Sequence, residues 1–149
     1  MVPEETGLPI QPSGWEMVRL MWMAQYAIFS AAAEELHAIG LNPKSMAVLG
    51  IVEVVPHPQE IANSLGSPLP TVSNILKDLE KLGYVSRELA PGDRRRTVVR
   101  RTEKGEDAHQ RAVAAIDEKS GPIFAGLSAA EYRTLHGLLY GLSARHHLT

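Results

Sequence analysis

The chain has 149 residues, of which 44% are hydrophobic, and a formal net charge of −2. This length and composition suit one folded domain and exclude general disorder. The absence of cysteine excludes disulfides, a thiolate nucleophile and a cysteine-based zinc site. No apolar run approaches the length of a membrane span, and the first residues lack the basic start of a secretory signal, so we expect a cytoplasmic protein.

The N-terminal part of the chain predicts an arm followed by one long helix. Residues 1–13 contain three prolines and little apolar periodicity, which indicates a mobile arm. Ser13 and Glu16 form a capping-box pattern, and residues 15–39 contain no proline or glycine. Because apolar side chains occupy nearly all faces of this helix, we expect it to pack against a second subunit as well as its own core.

The next part of the chain predicts a second helix. Gly40 suits the end of the first helix, because glycine readily adopts the left-handed conformation found there. Asn42 followed by Pro43 suits a helix start, with the proline at the first helical position. Apolar residues then recur at helical spacing as far as Val55.

Residues 58–104 have the layout of two helices followed by a hairpin. Two helical patterns are separated by Gly66 and Pro68, and two strand-like runs are joined by a loop that carries Arg94, Arg95 and Arg96 near its tip. The helical patterns cover residues 59–65 and 71–82, and the strand-like runs cover residues 84–89 and 97–102. This order is typical of a winged helix-turn-helix, in which the hairpin is the wing.

Two further helices are predicted after the hairpin. Thr102 suits the N-cap of the first, and Gly121 with Pro122 is expected to end it. Its apolar stripe consists of Ala108, Ala112, Ala115 and Ile116. Ser128 and Glu131 form a capping box that opens a last helix, which continues to about residue 146. The residues expected to face inward on that helix are Leu135, Leu138, Leu139 and Leu142.

The fold class predicted from these elements is mainly α with a small β-hairpin. One domain is expected, with a winged helix lobe over residues 43–104 and dimerisation helices over residues 14–40 and 105–147. A two-fold symmetric dimer suits a pseudo-palindromic DNA site whose half-sites lie about one helical turn, or ~10 base pairs, apart.

The distribution of charge suits a wing that faces nucleic acid, and a solvated charged surface is the alternative interpretation. Residues 71–104 contain nine Lys or Arg against five Asp or Glu, while the rest of the chain is net acidic. Three consecutive arginines repel one another and do little for the fold, but they suit the negative potential of a narrow DNA minor groove. Asp93 is expected to orient one of these guanidinium groups through a charge-assisted pair.

The helix over residues 71–82 is predicted to meet base edges with its first turns. Its outward residues there are Thr71, Ser73, Asn74 and Lys77. Asn pairs with adenine through two hydrogen bonds, and Ser and Thr bond either bases or phosphates. An ordinary polar helix face in a small bundle is the alternative interpretation of the same residues.

These segments resemble the MarR family of bacterial winged-helix regulators. The resemblance rests on residues 71–87, 93–95 and the Thr-Glu-Lys-Gly sequence at 102–105. It implies an obligate homodimer whose N- and C-terminal helices interlock, and a repressor of transcription. It also implies release of DNA when a small aromatic or phenolic effector binds between the dimer helices and the DNA-binding lobe.

The family's DNA contacts carry over to the helix and to the wing of this chain. Many members have a basic residue where this chain has Asn74. Arg101 replaces the apolar residue usual at its position and is a candidate phosphate contact, and Arg87 is either an ion-pair residue or a DNA contact. The complete set of predicted DNA contacts is Ser67, Thr71, Ser73, Asn74, Lys77, Asp93, Arg94, Arg95 and Arg96.

A candidate effector pocket is formed by aromatic, sulfur-containing and basic side chains of the first two helices. A stripe of this kind at helical spacing also suits a hydrophobic core, so both interpretations stay open. Arg19 suits an anionic effector or a carboxylate across the dimer. The candidate residues are Trp15, Arg19, Trp22, Met23, Tyr26, His37 and Met46.

Other functions have less support in the sequence. The histidines are dispersed and predict no metal ligands, but the adjacent His146 and His147 keep a metal-responsive regulator of the same family open as an alternative. Phosphate-loop, nucleophile-elbow and HExxH patterns are missing, so we expect no enzyme, no catalytic residue and no cofactor. A second alternative is a winged helix whose basic hairpin binds a protein partner without specific DNA binding.

Overall fold

The computed structural model describes residues 11–146, without the side chain of His146. Its helices are α1 (Gly14–Ala31), α2 (Ala33–Ala38), α3 (Pro43–Ile51), α4 (Pro58–Leu65), α5 (Leu69–Lys81), α6 (Glu103–Phe124) and α7 (Ala129–His146). Strands β1 (Val85–Ala90) and β2 (Asp93–Arg101) pair antiparallel and form the wing. The predicted mainly α fold with a small hairpin is confirmed. The first ten residues of the predicted mobile arm, and His147, lie outside the described residues.

The hydrophobic core joins the wing to helices α2 to α6. On α5, Val72, Leu76 and Leu79 are buried, so one stripe of this helix packs inward as predicted and leaves the opposite face to solvent. On α6, the buried residues are small, which lets this helix approach the core closely. The buried core residues of α6 are Ala108, Ala112 and Ala115.

Helix α6 begins directly against the junction of α5 and β1. Gly83 follows α5 with a positive φ of 76°, and the Tyr84 carbonyl accepts a hydrogen bond from the Thr102 backbone N–H at 3.0 Å. The Thr102 hydroxyl caps α6 by accepting from the Gly105 N–H at 3.0 Å, as predicted. A Cβ added to Gly105 would lie 1.9 Å from the Tyr84 carbonyl oxygen, so only glycine permits this approach.

The prediction of one uninterrupted first helix is wrong. The chain leaves helical geometry at the buried residue Ala32, whose φ of −94° and ψ of 3° separate α1 from α2. Helix α2 delivers Leu36 to the core, whereas α1 has no buried residue and is half-buried only at Ile28 and Phe29. The predicted packing of this segment on its own core is thus made by Phe29, near the end of α1, and by α2, while its packing against a second subunit stays a prediction.

The predicted end of α6 is also wrong. The helix continues through Gly121 and Pro122 to Phe124. Proline in the last turn removes one helical hydrogen bond close to a terminus, where few others follow, so the helix tolerates it.

Helix α7 begins as predicted, but most of the leucines that were expected to face inward are exposed. The Ser128 N–H donates to Glu131 Oε2 at 2.8 Å and the Glu131 N–H donates to Ser128 Oγ at 3.2 Å, which confirms the capping box. Leu135 is half-buried, and the other three leucines expected inside are exposed in the single chain. Those exposed residues are Leu138, Leu139 and Leu142. No described helix has both the length and the apolarity that crossing a bilayer requires.

Candidate nucleic-acid interface

Helix α5 presents a polar face along the side of the molecule that carries the wing. Asn74 and Lys77 are exposed, while Thr71 and Ser73 are half-buried. Ser67 lies half-buried in the turn before the helix. The predicted contacts of α5 therefore share one face, with the longer side chains outermost.

The hairpin turn is shorter than predicted. Pro91 and Gly92 alone connect the strands, with a φ of 82° at Gly92, and β2 begins at Asp93. Arg94, Arg95 and Arg96 therefore belong to the first part of a strand, and the prediction that they lie in a loop is wrong.

The register of the wing explains why these arginines remain exposed. Ala90 pairs with Asp93, but Leu89 pairs with Thr97, so the three arginines are extra residues that have no partner in β1. A bulge of this kind bends the strand and redirects its side chains. All three arginine side chains are exposed to solvent.

The side chain of Asp93 forms a hydrogen bond with the backbone of the bulge. Its Oδ1 accepts a hydrogen bond from the Arg95 backbone N–H at 2.9 Å. This local contact is typical of aspartate in turns, and it replaces the predicted pair between Asp93 and a guanidinium group. Asp93 therefore stabilises the shape of the bulge that displays the arginines.

The free edge of β2 lies against the segment that leads into α4. The Val99 N–H donates to the Pro56 carbonyl at 2.8 Å, and His57 Nδ1 lies 3.0 Å from the Thr97 carbonyl, which accepts from it in the Nδ1–H tautomer. Arg96 Nη2 lies 2.8 Å from Glu60 Oε1. Sequence reasoning missed Glu60 and His57, because no local pattern connects them with residues some 40 positions later.

A groove separates α4 and the start of α5 from the wing. It has a volume of about 410 Å³, and both Ser73 and Arg95 line it. Of the predicted contacts, this groove, which we call the wing groove, brings together Ser73 of α5 with Arg95 and Arg96 of the wing. His57 and Glu60 also line it.

Arg87 fixes the wing to α5. Its Nε lies 3.2 Å from Glu80 Oε2, and its Nη2 donates to the Ser73 carbonyl at 3.3 Å. Of the two roles considered for Arg87, the structure shows the ion pair, which holds β1 beside the polar face of α5.

Arg101 is an internal anchor, and its assignment as a phosphate contact is wrong. Only 8% of its side chain is exposed. Its Nη1 donates to Glu106 Oε2 at 2.6 Å and lies 3.1 Å from His109 Nδ1, while its Nη2 donates to the Gly50 carbonyl at 3.2 Å. Burial lowers the pKa of His109, and the positive charge of Arg101 lowers it further.

The candidate effector residues are divided between an open helix face and the core. The five on α1 are all exposed, and Met46 is packed partly against the core. His37 lies beside a small cavity of about 180 Å³ whose wall includes Phe29 and Leu41. The candidate effector residues on α1 are Trp15, Arg19, Trp22, Met23 and Tyr26. Among residues 11–146, no group of three or more His, Asp or Glu side chains is placed to hold a metal ion.

Comparison with known proteins finds a family model that matches part of the chain. Residues 39–96 match the family model described as MarR family. The chain is similar to a MarR-family transcriptional regulator from Rhodococcus sp., with 22% identity over 89% of this chain and 96% of that one and a TM-score of 0.76. It is similar to CouR from Rhodococcus jostii bound to p-coumaroyl-CoA, with 23% identity, 86% and 92% coverage and a TM-score of 0.73.

A third similar structure is a mutant MarR from E. coli complexed with operator DNA, with 22% identity, 85% and 92% coverage and a TM-score of 0.70. These likenesses show one shared fold over most of each chain. The family model matches the lobe that contains α3 to α5 and the beginning of the wing, and over this lobe the chain is similar to the MarR family of winged helix-turn-helix transcriptional regulators.

Proposed function

We propose that this chain regulates transcription by binding double-stranded DNA in a sequence-specific manner. The observation that carries the proposal is the bulge that displays Arg94 and Arg95 beside the polar face of α5. Both guanidinium groups are exposed, and neither forms an ion pair with a described residue. Exposed arginines of this kind suit DNA phosphates and a narrow minor groove.

Helix α5 and the wing are assigned to different parts of the DNA. The first turns of α5 enter the major groove, where Thr71, Ser73 and Asn74 meet base edges or phosphates. Lys77, one turn further on, and Ser67, in the preceding turn, contact the phosphate backbone. The wing enters the adjacent minor groove with Arg94 and Arg95.

We further propose that the regulator is a homodimer, with residues 14–40 and 105–147 as its dimerisation helices around the lobe of residues 43–104. The support is the exposed apolar surface of α1 and α7: Trp15 is 68% exposed and Tyr140 is 70% exposed. Large exposed apolar patches are typical of protein interfaces. A two-fold axis would place the two α5 helices on half-sites about 10 base pairs apart in a pseudo-palindromic operator.

Repression relieved by a small aromatic or phenolic effector is the mode of regulation that we propose. A similar protein, CouR, binds p-coumaroyl-CoA, whose acyl group is phenolic. In this chain the exposed aromatic residues of α1 would form the effector pocket together with the second subunit, near the cavity beside His37.

Selection of bound sequences from random duplex DNA tests the central proposal. We expect a consensus with two-fold symmetry, because a symmetric dimer reads the same half-site twice. A lack of DNA binding even at low salt would refute the proposal and favour a protein partner for the wing.

Arg95→Ala is expected to weaken operator binding by on the order of 1–3 kcal/mol. The salt slope of binding should fall by about one, because about one counterion fewer is released. The reason is the loss of one guanidinium group from the wing groove. Fluorescence anisotropy over a series of salt concentrations measures both quantities. Arg111→Ala, which removes an exposed arginine of α6, is the matched control and should leave both unchanged. An unchanged affinity and salt slope for Arg95→Ala would contradict the wing assignment.

Asn74→Ala is expected to reduce discrimination between operator and random DNA more than it reduces non-specific affinity. Asn74 is exposed in the second turn of α5, where a side-chain amide reaches base edges. The ratio of the two dissociation constants measures the effect. Equal losses on both DNAs would instead indicate that Asn74 contacts a phosphate.

A further inference from the structure

We propose that Glu60 holds Arg96 away from DNA and thereby limits the affinity and the salt dependence of the wing. This inference rests on the proposed DNA-binding function and deepens it, since it concerns how many wing arginines are free to reach phosphates. It assigns an affinity-limiting role to a carboxylate that makes no DNA contact of its own.

The three consecutive wing arginines are not equivalent. Arg96 Nη2 lies 2.8 Å from Glu60 Oε1, which is the distance of a charge-assisted hydrogen bond. Arg94 and Arg95 form no such pair with any residue from 11 to 145. In the free protein the wing therefore offers two uncommitted guanidinium groups from a run of three.

An exposed ion pair is weak unless its geometry is already fixed. The side chains of Arg96 and Glu60 are 54% and 47% exposed, so their attraction alone would be modest. Here the backbone supplies the fixed geometry, because the hydrogen bond from Val99 to Pro56 and the contact between Thr97 and His57 hold β2 beside the start of α4. These two contacts keep Glu60, in the first turn of α4, opposite Arg96 and reduce the entropy lost when the pair forms.

The position of the pair gives it an effect on DNA binding. Glu60 and Arg96 line the same wing groove as Ser73 and Arg95. A paired guanidinium must break its hydrogen bond to the carboxylate before it can replace a counterion on a phosphate. Because the salt dependence of binding counts the phosphates that a protein neutralises, the pair should remove about one contact from that count.

Glu60→Gln tests the inference, since it keeps the shape of the side chain and removes its charge. We expect operator binding to become about three- to tenfold tighter, and the salt slope to become steeper by about one, as Arg96 engages a phosphate. The operator selected from random duplex DNA is the probe, and the full-length protein is used. In Glu60→Gln combined with Arg96→Ala, affinity and slope should return to the wild-type values.

Glu88→Gln is the matched control for charge. Glu88 is an exposed carboxylate of β1 and forms no ion pair with a described residue, so its loss changes the net charge of the wing without freeing an arginine. We expect less than about a twofold change from this variant. If Glu88→Gln tightens binding as much as Glu60→Gln does, general repulsion explains the result and the inference is overturned.

Two further outcomes would also overturn it. One is an unchanged salt slope in Glu60→Gln, and the other is a gain that persists after Arg96 is removed. Arg95→Ala, measured on the same DNA, separates this inference from the proposed function. If Arg95→Ala weakens binding while Glu60→Gln keeps the wild-type affinity and salt slope, only the role of Glu60 is rejected. No effect of Arg95→Ala would reject the DNA contact of the wing, and the role of Glu60 with it.

Discussion

Gly105→Ala is expected to lower the free energy of unfolding by about 3–4 kcal/mol, which is near the upper end for single substitutions. The added methyl carbon would lie 1.9 Å from the Tyr84 carbonyl oxygen and 2.7 Å from the Tyr84 carbonyl carbon. Both are backbone atoms, so no side-chain rotation relieves the clash. Helix α6 must instead move away from the junction of α5 and β1, which weakens its contacts with Thr102 and the core.

Thermal and denaturant unfolding measure this loss, and the midpoint temperature should fall by on the order of 10 °C for a chain of this size. Gly121→Ala is the control in the same helix, because a Cβ there meets no atom of its own chain within 4 Å. That substitution should change stability little or raise it by up to ~1 kcal/mol, since alanine favours helix more than glycine does. Wild-type stability in Gly105→Ala would show that α6 does not need its close approach to Tyr84.

Arg101→Ala is expected to cost about 2–3 kcal/mol of stability. The side chain is almost fully buried and joins the end of β2 to α3, through the Gly50 carbonyl, and to α6, through Glu106. Its removal leaves a cavity and two acceptors without their donor. Denaturant unfolding provides the measurement, and the adjacent Arg100→Ala provides the control, because Arg100 is exposed. We expect a loss below about 0.5 kcal/mol for that control.

Two other measurements separate the structural role of Arg101 from a contact with DNA. The positive charge of Arg101 lowers the pKa of His109, so the pKa of His109 should rise in Arg101→Ala, as NMR titration of its ring would show. The salt slope of operator binding should keep its wild-type value. A shallower slope would mean that Arg101 reaches phosphate after all.

The sequence was informative wherever one local pattern was sufficient. The N-caps at Asn42 and Thr102 and the capping box at Ser128 are confirmed, because each depends on residues at most three positions apart. The buried stripe of α5 is confirmed for the same reason, since its spacing determines which face turns inward. The cluster of arginines in the wing was evident from composition alone.

Features that depend on contacts between residues far apart in the chain could not be predicted from local patterns. The sequence showed that Arg101 departs from the family pattern. It did not show that the side chain is buried, because this depends on Gly50 of α3 and His109 of α6. The bulge of the wing arises from the register between β1 and β2, which cannot be predicted from the sequence of either strand alone. Leu138 and Leu142 have the periodicity of an inner face, yet periodicity cannot tell whether a side chain meets its own core or another molecule.

The contacts that cover part of the edge of β2 limit the pairing of this strand with strands of other molecules. An uncovered strand edge offers free N–H and C=O groups to strands of other molecules, and such pairing is a common route to aggregation. Here the Val99 N–H is occupied by Pro56, and the Thr97 carbonyl is occupied by His57. The edge of β2 at Thr97–Val99, next to the unpaired residues Arg94–Arg96, therefore offers fewer free groups to a strand of another molecule, while the arginines stay exposed to solvent.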